Sequence, residues 1–349
     1  MTRNSNELVG QSVAGCELIR ELGRGTNGVV YLAKHKQLNR QVACKIISSD
    51  LQEDPDFLDN LFTEAANAAK LSHPNVIQAL DAGDSDGIKY FMMEFVDGNS
   101  LEYIRTNSPE MISTEFLLNL SLQLAVAMDF AWCNHKMTHG DIKPGNIMLT
   151  REGRILKVGD LGLARSSNGA TGDPADVMVT PLYAAPEIIT QQQISPDPRS
   201  DIYSFGVMFY ELACGTAPFT GSLDEIIDAH INSVPESLHT MNPDLDRELA
   251  RFIDTMLAKD MQSRPADWKT VYAALKSIYL RLFPNSRIPA ELSTVAPSRS
   301  GSRITTSSWS AKSPADKTFW EKYPWVLPAV MILLILLALI SIPFSLGIF

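Results

Sequence analysis

Cysteine and histidine are scarce in this chain of 349 residues, which contains four cysteines and six histidines. The cysteines are scattered and lack the close paired spacing of zinc-binding motifs, so neither a zinc site nor a disulfide framework is expected. We expect them to be small buried apolar residues in a reducing compartment. The polar first ten residues also lack the apolar run of a secretory signal peptide.

Basic residues are also relatively few, because the chain has 30 Lys and Arg against 40 Asp and Glu. The balance is uneven: residues 284–324 hold six basic and three acidic residues, and nothing after them is charged. The acidic surplus therefore lies entirely within residues 1–283. A body of that charge argues against nucleic acid as a partner.

The longest run without a charged residue lies at the end of the chain, in residues 326–349. About 20 apolar helical residues span a bilayer. Interfacial aromatic residues and cytoplasmic lysines typically flank such a span, and both precede this one: Trp320, Tyr323, Trp325, Lys312, Lys317 and Lys322. The sequence predicts a single-pass C-terminal membrane helix over 325–349, with the preceding chain cytoplasmic. The alternative is a buried helix of the soluble domain.

A polar loop dominates the middle of the chain. Asp141, Lys143 and Asn146 stand within six residues, among glycines and a proline that disfavour helix, and Asp160 follows fourteen residues later. Asn146 and Asp160 carry the hard oxygen ligands that Mg²⁺ takes alongside phosphate oxygens. Asp141 is then available to accept a proton from an attacking hydroxyl.

A glycine-rich turn precedes this loop. Gly23, Gly25 and Gly28 lie between two predicted strands, where their backbone can approach phosphate groups closely. A G-x-G-x-x-G motif alone is weak evidence. Because a strand rather than a helix follows, the dinucleotide-binding interpretation is disfavoured.

Lys45 interrupts an apolar strand, residues 42–47. Taken alone, Lys45 could equally be a functional lysine or a solvent-facing lysine of an edge strand. The following segment, however, places a glutamate on an apolar helical face, and a buried carboxylate needs a partner. The residues of that face, three or four apart, are Phe57, Leu61, Glu64, Ala68 and Leu71.

Periodicity and turn residues predict the remaining elements. Strands are expected at 18–22, 30–35, 42–47, 77–80 and 88–94, and a short hairpin at 146–150 and 156–158. Long helices are expected at 116–132, 222–233, 246–258 and 267–282.

In order and spacing, these motifs resemble those of eukaryotic-like (Hanks-type) serine/threonine protein kinases of the bacterial membrane-anchored type. The resemblance covers about residues 16–283. It implies an α+β, bilobal protein kinase fold with an N-terminal tail (1–14), a β-rich N-lobe (15–94) and a mostly helical C-lobe (98–283). A basic Ser/Thr/Pro-rich linker (284–324) then leads to the transmembrane helix.

The resemblance also implies ATP and Mg²⁺, or Mn²⁺, as cofactors, and assigns roles. Lys45 pairs with Glu64 to orient the phosphates, and Asn146 and Asp160 hold the metal. Asp141 is the base, Lys143 stabilises the transferred phosphoryl group, and Thr180 bridges the two. Nucleotide-binding positions are Leu22, Gly23, Gly25, Gly28, Val30, Ala43, Lys45, Met93, Glu94, Val96 and Met148.

The segment from Thr180 to Glu187 resembles the end of a kinase activation segment, where protein substrates bind. The resemblance implies that Glu187 pairs with a distant arginine, for which Arg264 fits, and that Asp201 caps or braces the catalytic loop. Three positions depart from the family pattern. Asn27 replaces an aromatic residue, Gly140 an arginine and Leu161 a phenylalanine.

These motifs together predict ATP-dependent phosphorylation of serine and threonine in protein substrates. Lysine two residues after Asp141 is the serine/threonine pattern. Two alternatives remain at this point: a catalytically weak or dead pseudokinase that acts as a membrane-tethered ATP-binding scaffold, and a kinase of small molecules. The segment ending at Glu187 argues against the second.

Overall fold

The computed structural model describes residues 8–25, 28–52, 68–152, 155–160, 181–192 and 196–288, with Leu58, Phe62, Ala65 and Ala66. All of them belong to one compact unit, within residues 1–293. The predicted membrane helix and most of the predicted linker lie outside the described residues.

The N-lobe is a six-stranded antiparallel sheet in the order β1-β2-β3-β4-β6-β5. Short turns connect most neighbours, as is usual for antiparallel strands. Its strands are β1 (Ser12–Val13), β2 (Cys16–Gly25), β3 (Gly28–His35), β4 (Arg40–Ile47), β5 (Ala79–Ser85) and β6 (Ile88–Glu94). Ser12 and Val13 pair with β2 although they lie within the segment predicted as N-terminal tail.

Alternation along the strands gives this sheet two distinct faces. One face is an apolar cluster that includes Tyr31, Cys44 and Met92. The other carries Ala43 and Met93, which oppose each other in the ladder, and packs on Ala65 and Ala68. The second face is therefore the one that meets the helix of the N-lobe.

That helix is described only in part. Leu58, Phe62, Ala65, Ala66 and Ala68 are helical, which agrees with the predicted helix in this segment. Phe57, Leu61 and Glu64 lie outside the described residues.

A three-stranded sheet joins the lobes. It consists of β7 (Gly98–Ser100), β8 (Ile147–Thr150) and β9 (Leu156–Val158). Val158 forms a parallel bridge with Val76, and its carbonyl accepts from the Ile77 N–H at 2.8 Å. The connection from the N-lobe helix into β5 thus pairs directly with the strand that ends at the predicted metal-binding turn.

Buried polar side chains secure this junction. The Asn75 side-chain amide donates to Gln123 Oε1 at 3.0 Å and to the Leu156 carbonyl at 2.8 Å. Gln123 Oε1 also accepts from the Leu156 N–H at 3.0 Å. Buried polar groups require such partners, so the three segments are fixed relative to one another.

The C-lobe is built from helices around one large apolar core. The described helices of the chain are α1 (Ser49–Gln52) in the N-lobe, then α2 (Leu101–Asn107), α3 (Thr114–His135), α4 (Pro186–Ile189), α5 (Pro198–Cys214), α6 (Leu223–Asn232), α7 (Leu238–Met241), α8 (Arg247–Met256) and α9 (Trp268–Leu282). The four long helices predicted from periodicity correspond to α3, α6, α8 and α9.

Two helices form the centre of the core. Nearly every residue of α5 is buried, and α3 packs against α5, α9 and β9. Within the described residues, α3 alone is long and apolar enough to cross a membrane, but two thirds of its apolar window is buried inside the domain. It is therefore a core helix here.

Helix ends follow their sequence signals. Ser113 and Asp197 accept hydrogen bonds from the first turns of α3 and α5, and Ser222 forms a capping box with Glu225 on α6. Gly215 ends α5 in the left-handed conformation at φ 78°.

One strand prediction was wrong in its limits. The strand expected at 77–80 instead runs from Ala79 to Ser85. Asp81, Gly83 and Asp84 have poor strand propensity, but β6 pairs with them along its whole length. Tyr90 on β6 also donates its hydroxyl to Asp81 at 2.8 Å.

Candidate active site

The glycine-rich turn lies between β2 and β3, whose ladder ends at the Gly25–Gly28 pair. Gly28 has φ 148°, and a Cβ there would lie 2.0 Å from the Ile46 carbonyl oxygen. Only glycine fits this close approach to β4. Thr26 and Asn27, at the tip, lie outside the described residues.

The predicted nucleotide-binding side chains of the sheet share one face. Val30 opposes Lys45 between β3 and β4, and Ala43 opposes Met93 between β4 and β6. Leu22, which lies on β2 just before Gly23, is exposed, at 37%. An apolar surface with a single lysine therefore lies beneath the glycine-rich turn.

Lys45 is not an edge lysine, because β4 lies between β3 and β6. Its side chain is only 14% exposed, and Nζ lies 4.0 Å from Asp160 Oδ2. The solvent-facing alternative is thereby excluded. The predicted partner Glu64 lies outside the described residues.

The loop that carries Asp141 is fixed by one buried carboxylate. Asp201 on α5 accepts from the His139 N–H at 2.7 Å and from the Gly140 N–H at 2.8 Å. The predicted bracing role of Asp201 is confirmed, whereas Asp197 caps the helix. Gly140 itself has φ 81°, a left-handed conformation that suits glycine.

Within this loop the three polar residues meet. Lys143 Nζ lies 2.5 Å from Asp141 Oδ2. The Asn146 amide nitrogen donates to Asp141 Oδ2 at 2.9 Å and to the Asp141 carbonyl at 2.8 Å. Because the amide nitrogen of Asn146 is committed to Asp141, its oxygen is the atom that can ligate a cation.

Gly159 connects this loop to the second carboxylate. Its N–H donates to the Asn146 carbonyl at 2.8 Å, and its carbonyl accepts from His139 Nε2 at 2.9 Å. Asp160, the next residue, has φ 49°. The two segments that carry the predicted metal ligands are thus joined by a backbone hydrogen bond, and Asp160 faces Lys45.

His139 was missed as a site residue by the sequence reasoning. Its Nδ1 accepts from the Asp141 N–H at 3.2 Å while Nε2 donates to Gly159. The ring, which is fully buried, therefore joins the Asp141 loop to the Asp160 turn. The only sequence signal was a histidine two residues before Asp141.

A second missed feature is an ion pair at the connection between lobes. Lys157 on β9 places Nζ 2.8 Å from Glu94 Oε1 and 2.9 Å from Oε2. Glu94 Oε2 also accepts from the Gln78 N–H at 3.3 Å. Glu94 ends β6 and is a predicted nucleotide-binding residue. It directly precedes the hinge, the connection between the two lobes at residues 95–97, so this pair fixes the hinge to the strand that leads to Asp160.

The hinge continues through Val96, which is buried, into β7. Met148, the predicted floor of the nucleotide site, lies on β8 opposite Ser100 and Lys157 and is partly buried. The hinge and the Asp141 loop are therefore linked through one small sheet.

The far end of the predicted activation segment is anchored by a buried ion pair. Arg264 donates to Glu187 Oε1 at 2.7 Å and Oε2 at 2.8 Å, as predicted, and Ser200 adds a third bond to Glu187. Burial raises the pKa of Glu187, but the bonds and charge of Arg264 outweigh it and the net pKa shift is downward. Thr180 lies outside the described residues.

A family model described as protein kinase domain matches residues 16–279. The chain belongs to the protein kinase family. The matched residues contain both lobes and all the groups described above, so the predicted kinase resemblance is confirmed.

Curated relatives are bacterial kinases. The chain is 35% identical over 258 residues to the probable serine/threonine-protein kinase SCO3848 of Streptomyces coelicolor, covering 71% of this chain and 37% of that protein. It is 33% identical over 287 residues to the serine/threonine-protein kinase PknJ of Mycobacterium tuberculosis, covering 79% and 47%. PrkC of Bacillus subtilis is 33% identical over 278 residues, covering 76% and 42%. The chain thus spans less than half the length of these relatives.

Solved structures share the fold. The kinase domain of PknI from M. tuberculosis superposes with a TM-score of 0.61 at 25% identity, covering 77% of this chain and 97% of that one. The apo form of PpkA-294 gives a TM-score of 0.66 at 23% identity, covering 76% and 98%. The second likeness shows the fold alone.

The Glu94–Lys157 pair yields a testable prediction for this kinase domain. In Lys157→Met, the Glu94 carboxylate keeps only weak partners in a partly buried position, so the hinge loses its fixed geometry. We expect the affinity for Mg-ATP to fall about tenfold, which corresponds to about 1.4 kcal/mol. Calorimetric titration with Mg-ATP measures it.

Lys36→Met is the matched control, because Lys36 pairs with Glu17 at 3.7 Å on the exposed surface. Such exposed pairs contribute little. An affinity within twofold of wild type in Lys157→Met would contradict a role of the pair in nucleotide binding.

Proposed function

We propose that this protein transfers the γ-phosphoryl group of ATP to serine and threonine side chains of protein substrates. The supporting observation is the convergence around Asp141. Lys143 and Asn146 contact its carboxylate directly, and Gly159 couples Asn146 to the turn that presents Asp160 to Lys45. Phosphoryl transfer depends on such positioning and on charge stabilisation more than on covalent chemistry.

Each group has a role in this proposal. Asp141 accepts the proton of the attacking hydroxyl, and its bond to Asn146 orients it. Lys143 stabilises the negative charge of the transferred group. Lys45, with Glu64 as proposed partner, orients the α- and β-phosphates, and Thr180 bridges Asp141 and Lys143.

The residues present fit a divalent cation. Asn146 and Asp160 offer oxygen atoms on two segments that the Gly159–Asn146 hydrogen bond joins. Mg²⁺ commonly takes one or two protein oxygens, with substrate phosphates completing its coordination, and Mn²⁺ can take the same ligands. When bound, the metal neutralises phosphate charge. Among the described residues, no group of three or more His, Cys, Asp or Glu side chains could hold a metal ion.

The nucleotide base would lie against the apolar face of the N-lobe sheet and the hinge. Leu22, Val30, Ala43, Met93 and Met148 supply the apolar contacts. The backbone of Glu94 and Val96 supplies the hydrogen bonds. The glycines at 23, 25 and 28 offer N–H groups to the phosphates.

A protein rather than a small molecule is proposed as substrate. The segment that ends at Glu187 is anchored by Arg264 and Ser200. We propose that it forms the surface on which the substrate polypeptide lies. The lysine at 143 matches the serine/threonine class, and the curated relatives carry that designation in their names.

Asp141→Asn tests the proposal. The amide retains the shape of the side chain but is a very poor base, so phosphoryl transfer should fall by about 10²- to 10⁴-fold. The affinity for Mg-ATP should stay within a few-fold, because Asp141 is not a proposed nucleotide ligand. Transfer of labelled phosphate from Mg-ATP to casein, alongside calorimetric ATP binding, measures both.

Asp244→Asn is the control for replacing a carboxylate with an amide elsewhere in the domain, because Asp244 is exposed. Near-normal turnover in Asp141→Asn would contradict the assigned role. A wild-type protein that binds Mg-ATP but transfers nothing would instead support the pseudokinase scaffold.

We also propose that residues 325–349 anchor this kinase domain to the cytoplasmic face of a membrane. The support is compositional: an uncharged run of sufficient length, an aromatic-rich entrance and basic residues before it.

Substituting charged residues within residues 326–349 tests whether this segment anchors the protein to membranes. Leu334→Arg with Leu337→Arg should release the protein from membranes, because each charge at the centre of a span costs about 3 kcal/mol. Sedimentation of membranes after an alkaline wash measures the distribution. Equal retention of the variant and the wild type in the membrane fraction would contradict the proposal. Leu223→Arg, at an exposed position of the kinase domain, is the control.

A further inference from the structure

A buried histidine holds the backbone of the segment that is predicted to bind protein substrates. His230 on α6 has no exposed surface. Its Nε2 lies 2.9 Å from the carbonyl oxygen of Leu182, and its Nδ1 lies 2.8 Å from the hydroxyl of Tyr203 on α5. One ring therefore bridges two helices and a short turn, Pro181–Tyr183.

The direction of each hydrogen bond follows from the partners. A carbonyl only accepts, so Nε2 carries the proton and Nδ1 accepts from the Tyr203 hydroxyl. Lys259 Nζ donates to the Tyr203 oxygen at 3.3 Å. Lys259 thus donates to Tyr203, Tyr203 to His230, and His230 to the Leu182 carbonyl. Burial, aided by the Lys259 charge, lowers the pKa of His230 to about 4, so the neutral ring persists at pH 7.

The histidine is itself held rigidly. Lys259 Nζ donates to the carbonyl oxygens of Ala229 at 3.0 Å and His230 at 2.7 Å, at the end of α6. Phe219 packs edge-on against the ring at 4.9 Å between centroids. These contacts hold the backbone of His230 and one side of its ring.

An apolar residue would fill this position at lower cost, because burying an imidazole requires partners for both nitrogens. What the histidine adds is a hydrogen bond that fixes the Leu182 carbonyl. Leu182 lies two residues after Thr180, the predicted bridge between Asp141 and Lys143. The segment from Pro181 to Glu187 is then held at three points. These are Leu182 by His230, Tyr183 by Glu211 at 2.6 Å, and Glu187 by Arg264.

We propose that His230 is a positioning residue for the protein substrate. It fixes the backbone of Leu182 and so sets the shape of the surface on which the substrate polypeptide lies next to Asp141. This inference rests on the proposed function. It assigns His230 to the recognition of the polypeptide rather than to the nucleotide or the chemical step.

Two substitutions separate the hydrogen bond from the packing. His230→Phe retains an aromatic ring without a donor, and His230→Gln retains an amide N–H that can reach Leu182. His230→Phe removes both hydrogen bonds of the ring, the one to Leu182 and the one from Tyr203. With casein as substrate, we expect it to raise the KM for casein about fivefold or more, because Leu182 is no longer held. The KM for ATP should stay within twofold, and His230→Gln should recover part of the loss.

Phe219→Leu is the packing control, because it loosens the same pocket and leaves the bond to Leu182 intact. A rise in the KM for casein that is equal in Phe219→Leu and His230→Phe would overturn the proposal. An equal rise in both KM values, or no change in His230→Phe, would also overturn it.

Hydrogen exchange tests the positioning without any activity. The backbone amides of residues 184, 185 and 187–190 should exchange faster in His230→Phe than in wild type or Phe219→Leu, since Leu182 is released. Unchanged exchange would overturn the positioning role. If the wild type transfers no phosphate yet this local change is observed, the proposed function fails while the hold on Leu182 is supported.

Discussion

The arrangement around Asp141 depends on one carboxylate that is not part of the chemistry. Asp201 is buried at the start of the central helix α5 and accepts from two consecutive backbone N–H groups, those of His139 and Gly140. A buried N–H without an acceptor costs about 1–3 kcal/mol, so the loop has a strong preference for this one conformation. Because α5 is enclosed by the core, the rigidity of the C-lobe is transmitted to the loop.

From that point the remaining contacts follow in order. His139, once fixed, reaches Gly159, and Gly159 reaches Asn146, so the Asp141 loop and the Asp160 turn form one unit. The strand β9 that precedes Asp160 also pairs with Val76 and, through Lys157, with Glu94. The N-lobe face that carries Lys45 is therefore coupled to the C-lobe by a few backbone pairs and one ion pair.

The sequence predicted the fold and the site best where the determining residues are neighbours in the chain. The loop at Asp141, the strand Ile88–Glu94 and the helix capped by Ser222 are each marked by neighbouring residues. It also found the Glu187–Arg264 pair through the family resemblance. It ended β5 too early because polar residues there obtain their strand conformation from pairing with β6, a tertiary effect. Lys157 and His230 were missed for a related reason, since their partners lie 63 and 48 positions away and neither residue type is unusual at its position.

The most direct measurement of this account is the phosphoryl-transfer rate of Asp201→Asn, compared with its thermal unfolding and its affinity for Mg-ATP. The amide can accept only one of the two N–H groups, so the loop should shift while the fold and the nucleotide face persist. Small misplacements of reacting groups can cost about 10²-fold in rate. The account predicts a loss of that order with the Mg-ATP affinity within a few-fold of wild type. A variant that transfers phosphate at the wild-type rate would contradict it.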